Sequence, residues 1–204
     1  MHFCFSLGFW TFIHLPGYLA GLGGRESEIG VIIGSLSVSA ILVRPWLGRM
    51  MDRRGRRPVV LVGGAANLVA VSCYLTIDSL GPWVYLIRIM HGVGEAALFS
   101  VMFTMAADVI PASRRTEGIA IFGISGLLPL SLGGLMGDVI LAHWDYALLF
   151  QVSAAIALLS LLMSLAMPET RPHREKGAPE AATLVGIILH PRLVPLWILT
   201  MGFT

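Results

Sequence analysis

Long apolar runs separated by short polar segments make up most of the chain. Six stretches of roughly 20 residues are nearly free of Lys, Arg, Asp and Glu, and a helix of that length crosses a hydrocarbon core of about 30 Å. The predicted spans are Met1–Leu22, Ile29–Leu47, Pro58–Ile77, Trp83–Ala106, Ile119–Leu141 and Tyr146–Met167. A seventh apolar run begins near Leu193 and continues to Thr204, which is too short for a crossing.

These runs favour helices over the strands of a membrane barrel. They are continuous, whereas a barrel wall alternates apolar and polar residues over about 10 positions. A helix also satisfies its own backbone hydrogen bonds in lipid. We therefore predict an all-α integral membrane bundle. Its parts are a six-helix domain over 1–167, a cytoplasmic linker with a short interfacial helix over 168–190, and the truncated start of a seventh span over 191–204.

Composition agrees with a membrane protein and excludes several other classes. Hydrophobic residues make up 56% of the chain and charged residues 13%, against about 25% charged in a soluble domain. No basic face is left for nucleic acid. Cys4 and Cys73 both lie in spans without metal or disulfide spacing, and no Walker A motif or catalytic constellation is found. We expect no cofactor, no metal and no enzyme activity.

Positive charge is concentrated in alternate polar segments. Most of the 14 lysines and arginines fall within 49–57, 114–115 and 171–192, while the intervening segments hold only Arg25. Lysine and arginine mark the cytoplasmic side of membrane proteins. The pattern predicts a cytoplasmic N-terminus, and we expect the protein in a bacterial inner membrane.

The most basic segment carries a specific spacing. It reads Gly48-Arg-Met-Met-Asp52-Arg53-Arg54-Gly55-Arg56-Arg57. This resembles the G-x-x-x-D-R-x-G-R-R motif that major facilitator superfamily transporters carry between their second and third helices. A merely solvated basic loop would explain the arginines, but not the glycines and the aspartate at this spacing.

The glycines, the aspartate and the proline of this segment each have a separate physical reason to be there. Gly48 is expected to let the second helix approach a neighbour closely. Asp52 can pair with an arginine at the membrane surface. Gly55 permits a tight reversal, and Pro58 suits the first turn of the third helix.

Three further segments resemble the same family. They are Arg88-Ile-Met-His91-Gly92-Val-Gly94-Glu95-Ala96, which matches R-x-x-x-G-x-G-x-A, the later Ala107-Asp108-Val-Ile-Pro111-Ala-Ser-Arg114-Arg115, and Gly126-Leu-Leu-Pro129-Leu-Ser-Leu-Gly133-Gly134. The last is similar to the glycine–proline motif of antiporter branches. It lacks the glycine directly before proline and has three residues, not two, before the paired glycines.

The resemblance implies how such a protein is built and how it works. Family members carry twelve helices in two halves, each made of two inverted three-helix units, and bind substrate between the halves. Asp52 and Arg56, with Asp108, would form a latch that holds one conformation. Gly126, Pro129, Gly133 and Gly134 would serve helix packing or hinge motion. The chain would be the first half plus the start of the second, with the C-terminal half missing.

A short internal match supports the inverted repeat. The second span ends Gly48-x-Met50-x-Asp52 and the fifth contains Gly134-x-Met136-x-Asp138. Their ends are predicted on opposite sides of the membrane.

Charged residues within spans are the main candidates for mechanism. An ionised side chain at the bilayer centre costs at least about 2.5–3.5 kcal/mol, so it usually faces an aqueous cavity or a partner. Arg88, His91 and Glu95 are spaced to share one face of the fourth helix. Glu95 is the leading proton site, Arg88 would tune it or contact an anion, and His91 could relay a proton. Alternatively, Arg88 is a structural hydrogen-bond hub and Glu95 reaches the interface.

The first span carries further candidates. Pro16 is expected to interrupt this helix, and His14 either faces the cavity or packs between helices. Trp10, Phe12 and Phe122 are candidates for lining an apolar substrate path.

The resemblance favours transport of a small-molecule substrate across the lipid bilayer, with proton-coupled efflux as the first hypothesis. A symporter or uniporter for a sugar or organic anion is the second. A non-transporting half-protein that needs a partner half is the third.

Overall fold

The computed structural model describes residues 1–170, and every regular element within them is helical. The α-helices are α1 (His2–Trp10), α2 (Leu15–Gly21), α3 (Glu26–Arg54), α4 (Arg56–Cys73), α5 (Pro82–Val109), α6 (Arg115–His143) and α7 (Tyr146–Leu165), with 3-10 turns at Thr11–His14, Tyr74–Thr76 and Ala112–Arg114. Six segments of this range are long and apolar enough to cross a membrane. The all-α, six-span prediction is confirmed. From residue 171 onward, the predicted linker and seventh run lie outside the described residues.

The first span is broken in its middle. Helix α1 ends at Trp10, the turn Thr11–His14 follows, and α2 begins at Leu15 with Pro16 in its first turn. Proline has no backbone N–H to donate to the preceding turn, so the regular α-helix is interrupted just before it. The interruption predicted near Pro16 is therefore present.

The second span is longer than the sequence pattern predicted. Helix α3 continues to Arg54 and α4 starts at Arg56, so Gly55 alone joins them. The expectation of a basic loop beginning after Leu47 is wrong, because charged side chains at a helix end can extend to water without ending the helix. Gly55 has φ +99°, a backbone conformation that favours glycine, and this agrees with the predicted tight reversal.

The helices pack in an arrangement that two inverted three-helix units would produce. Helix α5 packs on α3 and α4, α1 packs on α6 and α7, and α4 packs on α7. If the first three spans are exchanged with the last three, the α1–α6 contact becomes α5–α3 and the α1–α7 contact becomes α5–α4. The α4–α7 contact is converted into itself. Each principal packing contact thus has its counterpart under the exchange.

Two apolar clusters form the core, one toward each end of the bundle. We call the end that holds the α3–α4 turn the arginine-rich end. The cluster there includes Phe5, Leu47, Met51, Val59, Val60, Leu98, Val101, Met102 and Met105. The cluster toward the opposite end includes Phe12, Leu15, Leu19, Ile32, Val71, Tyr74, Val84, Ile87 and Phe150.

Helices α4 and α5 approach most closely where small residues face each other. A Cβ added to Gly63 would lie 2.7 Å from the Cβ of Ala97, and one added to Gly94 would lie 2.8 Å from the backbone N of Asn67. Glycine therefore sets the spacing of this helix pair. Gly48 differs from expectation: nothing described lies within 4 Å of its Cβ position, so it forms no close approach among residues 1–170.

Candidate transport site

Arg56 is the centre of a polar network at the arginine-rich end. Its side chain is buried; Nε donates to Asp108 Oδ2 at 3.0 Å, and Nη1 donates to the carbonyl of Met51 at 3.0 Å. Asp52 Oδ1 lies 3.7 Å from Nη1, and the Asp52 side chain is 73% exposed. The shorter ion pair thus joins the start of α4 to the end of α5, and Asp52 makes the weaker contact.

Glu169 completes this network from the segment after α7. Its two carboxylate oxygens accept hydrogen bonds from the backbone N of Arg56 at 2.8 Å and of Arg57 at 3.0 Å. The neighbouring Thr170 hydroxyl donates to Asp108 Oδ2 at 3.2 Å. A carboxylate at a helix N-terminus satisfies unpaired N–H groups and interacts favourably with the helix dipole. Sequence reasoning missed Glu169, because it placed residue 169 in the linker.

The rest of the predicted motif lies around the same turn. Arg53 is in the last turn of α3, and Arg57 Nη2 donates to the carbonyl of Leu165 in α7 at 3.1 Å. A Cβ on Gly55 would collide with the Glu169 carboxylate. The α3–α4 turn is thus held by α5, by α7 and by the residues that follow α7.

Two of the cavities found among residues 1–170 lie on either side of Phe9 and Trp10 in the first span. The larger, about 490 Å³, lies between α1, α5 and α6, and we call it the acidic cavity because Glu95 lines it. Its other walls include His2, Ser6, Phe9, Trp10, Phe99, Phe103 and Gly126. The smaller, about 230 Å³, is the basic cavity, lined by Arg88 together with Phe9, Trp10, Phe12, Ile13, Pro16, Ile33 and Leu36.

Arg88 is a hub of hydrogen bonds as well as a wall of the basic cavity. It is 5% exposed. Its Nε and Nη2 donate to the carbonyls of Ile32 at 3.3 Å and Ile33 at 3.0 Å, and Nη1 donates to the Tyr74 hydroxyl at 3.2 Å. These bonds tie α5 to α3 and to the turn after α4. The geometry fits the structural alternative, and Arg88 also lines the basic cavity.

The predicted polar face of α5 is divided between the two cavities. Glu95 lines the acidic cavity and Arg88 the basic one. His91 lies between them, fully buried, with Nδ1 3.2 Å from the Tyr74 hydroxyl. The ring centroids of Phe12 and Phe9 are 4.9 and 6.0 Å from that of His91. His91 lines neither cavity, so the three residues do not share one chamber.

Glu95 forms no ion pair within the described part of the chain. The ion pairs formed among residues 1–170 involve other residues. The side chain lines a largely apolar chamber whose walls include Phe9, Phe99 and Phe103.

His14 contacts α6. Its Nε2 is 3.0 Å from the carbonyl oxygen of Gly134 and 3.7 Å from Asp138 Oδ1, and its ring packs directly on Gly137. It lines neither the acidic nor the basic cavity. The observed position corresponds to the helix-packing alternative.

The glycines of the fifth span divide into two groups. A Cβ on Gly126 would lie 2.8 Å from His2 Cε1, and one on Gly133 would lie 2.8 Å from Trp10 Cβ, so both face α1 closely. Gly134 differs: nothing described lies within 4 Å of its Cβ position, although its carbonyl oxygen is 3.0 Å from His14 Nε2, and its role in helix packing or hinge motion stays a prediction. Pro129 is buried inside a helix that continues through it.

An all-helical bundle of six membrane-length segments, with largely apolar cavities beside a broken first span, is typical of one half of a membrane transporter. The sequence model of the Major Facilitator Superfamily matches residues 1–204, and the chain belongs to that family. It is therefore an integral membrane protein of a transporter family.

Known proteins agree with this assignment. The multidrug resistance protein MdtL of Salmonella schwarzengrund is 26% identical over 189 residues, covering 89% of this chain and 47% of MdtL. MdtL of Shigella flexneri serotype 5b is 25% identical over 162 residues, covering 78% and 41%. The chain thus spans about half the length of these relatives. The crystal structure of the human organic anion transporter MFSD10 (TETRAN) superimposes with a TM-score of 0.72 at 23% identity, covering 84% of this chain and 46% of that one, which shows the shared fold.

Proposed function

We propose that the protein takes part in proton-coupled efflux of a small solute by alternating access, with Glu95 as the proton site. The observation that carries this proposal is the Glu95 carboxylate in the acidic cavity, where aromatic side chains form much of the wall. An ionised carboxylate in so apolar a chamber is costly unless a proton or a solute compensates it. A proton and a solute that compete for this carboxylate would produce antiport.

The named relatives support an efflux function. MdtL proteins are described as multidrug resistance proteins, and this chain aligns with about half of each. Alternating access in this family uses two halves. We therefore propose that a second six-span half is the working partner of the bundle described above, and that 1–167 acts as one transmembrane domain.

The arginine-rich end is proposed to face the cytoplasm of a bacterial cell, with the protein in the inner membrane. The basic residues at the α3–α4 turn and after α5 support this orientation. In this arrangement Arg56, Asp108, Asp52 and Glu169 form the latch proposed for one of the two conformations. The buried Arg56–Asp108 pair, rather than Asp52, would carry most of its strength.

A second candidate function is supported by the basic cavity. Arg88 lines a chamber of about 230 Å³, and a guanidinium there could bind an organic anion or a sugar acid. Uptake by symport or uniport would follow from that chemistry. Counterflow of a labelled organic anion, measured with and without a pH gradient, distinguishes this candidate from efflux.

The first test is substitution of Glu95. The native protein is reconstituted in vesicles that contain a pH-sensitive dye, and proton movement is recorded when ethidium is added as the transported probe. Glu95→Gln and Glu95→Ala are each expected to reduce ethidium-dependent proton movement by about tenfold or more, because neither side chain exchanges a proton.

The matched control is Glu117→Gln, at an exposed carboxylate paired with Arg114. It is expected to leave proton movement unchanged. Intact proton coupling in both Glu95 variants would remove Glu95 from the mechanism.

A further inference from the structure

His2 lies at the junction of two cavities. It lines the acidic cavity and also a second chamber of about 460 Å³ at the arginine-rich end, which we call the terminal cavity. The side chain is 7% exposed. Its ring stacks on Phe122 with centroids 4.3 Å apart and meets Phe103 edge-on at 5.8 Å. The imidazole is therefore held in a fixed position.

The hydrogen bonds of the neighbouring serine define the tautomer of this histidine. The Ser125 hydroxyl donates to the carbonyl of Phe122 at 2.6 Å, and the same oxygen is 2.7 Å from His2 Nδ1. A hydroxyl has one hydrogen, which is already used on Phe122. Nδ1 must therefore carry a proton and donate to Ser125, which leaves Nε2 of the neutral ring as a bare acceptor.

Nε2 has no partner in the part of the chain that the structure describes, although it is buried. Such atoms are uncommon, because a buried acceptor without a hydrogen bond is destabilising. A Cβ on Gly126 would lie 3.5 Å from Nε2. His2 and Gly126 both line the acidic cavity and pack closely on each other, which places this edge of the ring in the wall of the chamber.

We propose that His2 Nε2 binds an N–H or O–H donor of an aromatic solute that occupies the acidic cavity. Trp10, Phe99 and Phe103 offer ring surfaces for the body of the solute, and Nε2 offers an acceptor at the edge of the chamber. The solute class is an aromatic amine or alcohol, whose donor reaches Nε2 while its body lies in the chamber that Glu95 lines, where it competes with a proton for the carboxylate. The inference rests on the proposed function, because it takes this cavity to be the solute site.

Two neutral coumarins form a matched pair of probes. In 7-amino-4-methylcoumarin the amine can donate a hydrogen bond, whereas in the 7-dimethylamino analogue it cannot. Binding is measured by probe fluorescence on the full chain in detergent, with the affinity tag at the C-terminus and probe uptake by empty micelles subtracted. The native protein is expected to prefer the amine by about tenfold, the scale of one buried hydrogen bond.

Two substitutions separate the acceptor from the rest of the ring. His2→Asn keeps a donor near Ser125 but has no atom at the position of Nε2, so the preference is expected to fall below about twofold. His2→Gln can place an amide oxygen near that position and is expected to retain about fivefold or more. A ring that only packs on Phe122 would make both variants lose binding of both probes equally.

Each outcome decides between the two proposals. Equal binding of the two probes by the native protein overturns the role of His2 and leaves Glu95 and efflux untouched. A preference that persists undiminished in His2→Asn overturns it as well. Failure of the native protein to bind either probe, while ethidium-dependent proton movement persists, overturns the role of His2 and leaves efflux standing; loss of both would remove the proposed function as well. The comparison of probes on the native protein remains decisive even when the variants do not fold.

Discussion

Glu169 resolves an electrostatic conflict at one helix end. Helix α4 begins with Arg56 and Arg57, and positive side chains are unfavourable at a helix N-terminus, where the helix dipole is itself positive. The Glu169 carboxylate accepts from both backbone N–H groups and supplies the opposite charge. One side chain thereby stabilises a turn whose own sequence would weaken it.

Glu169→Gln is expected to lower the free energy of unfolding by about 1 kcal/mol, because it removes the charge and one of two acceptors at the N-terminus of α4. Thermal unfolding in detergent measures the loss, and amide hydrogen exchange at Arg56 and Arg57 should accelerate. Glu117→Gln, which removes an exposed ion pair with Arg114, is the control and should change little. Equal exchange rates in the native protein and Glu169→Gln would contradict the capping role.

Among individual residues, the sequence predicted one part of the polar network around Arg56 and missed another. The motif spacing identified Arg56, and the resemblance to the family identified Asp108. In the structure, Arg56 Nε lies 3.0 Å from Asp108 Oδ2. Glu169 could not be found, since 113 positions separate it from Arg56 and no local pattern relates the two. His2 was missed for a similar reason, because its fixed tautomer depends on Ser125 in another helix.

Among the helices, α6 presents a stripe of glycines to the first span. Gly126, Gly133 and Gly137 contact His2, Trp10 and His14 in turn, at the sequence spacing of one helix face. The stripe follows α1 and then the turn after it. It explains how two helices with large aromatic and imidazole side chains can lie close together.

Adjacent glycines in α6 allow a controlled test of that contact. Gly133→Ala places a methyl group 2.8 Å from Trp10 Cβ and should destabilise the protein by about 1–3 kcal/mol through overpacking. Gly134→Ala enters open space and should be neutral, or stabilising by up to about 1 kcal/mol, because alanine favours the helix. Chemical unfolding in mixed micelles compares the two. Equal losses in both variants would argue against close α1–α6 packing.

The lengths of the elements show where hydropathy is informative. It located each span because a membrane core requires about 20 apolar residues. It ended the second span at Leu47, whereas α3 continues to Arg54, because apolar content marks the lipid core and not the end of the hydrogen-bonded helix. The break at Thr11–His14 was predictable from Pro16, since proline acts on the backbone locally.

The correspondence between the first three spans and the last three also holds for particular residues. Asp52 lies near the end of α3 and contacts Arg56; Asp138 lies in the last turns of α6 and contacts His14. Helices α3 and α6 occupy equivalent places in the two three-helix units. The short sequence match between 48–52 and 134–138 therefore coincides with an equivalent structural feature, an aspartate paired with a basic group near a helix end.

The orientation of the bundle can be tested with single cysteines at its two ends. Cys4 and Cys73 are first replaced by serine, and exposed positions are then labelled in intact cells with a membrane-impermeant maleimide. Ser79→Cys, between α4 and α5, should react from outside, and Arg49→Cys, at the arginine-rich end, only after permeabilisation. The reverse pattern would place the arginine-rich end outside and contradict the predicted topology.

Phe9 and Trp10 form a common partition between the acidic and basic cavities, and they directly precede the Thr11–His14 turn. A small rotation of the backbone at this turn would move both rings at once, enlarging one chamber as it narrows the other. Such a rotation would couple the occupancy of the two chambers through a single pair of side chains. An anion held near Arg88 should alter the affinity for a solute near Glu95 without touching it.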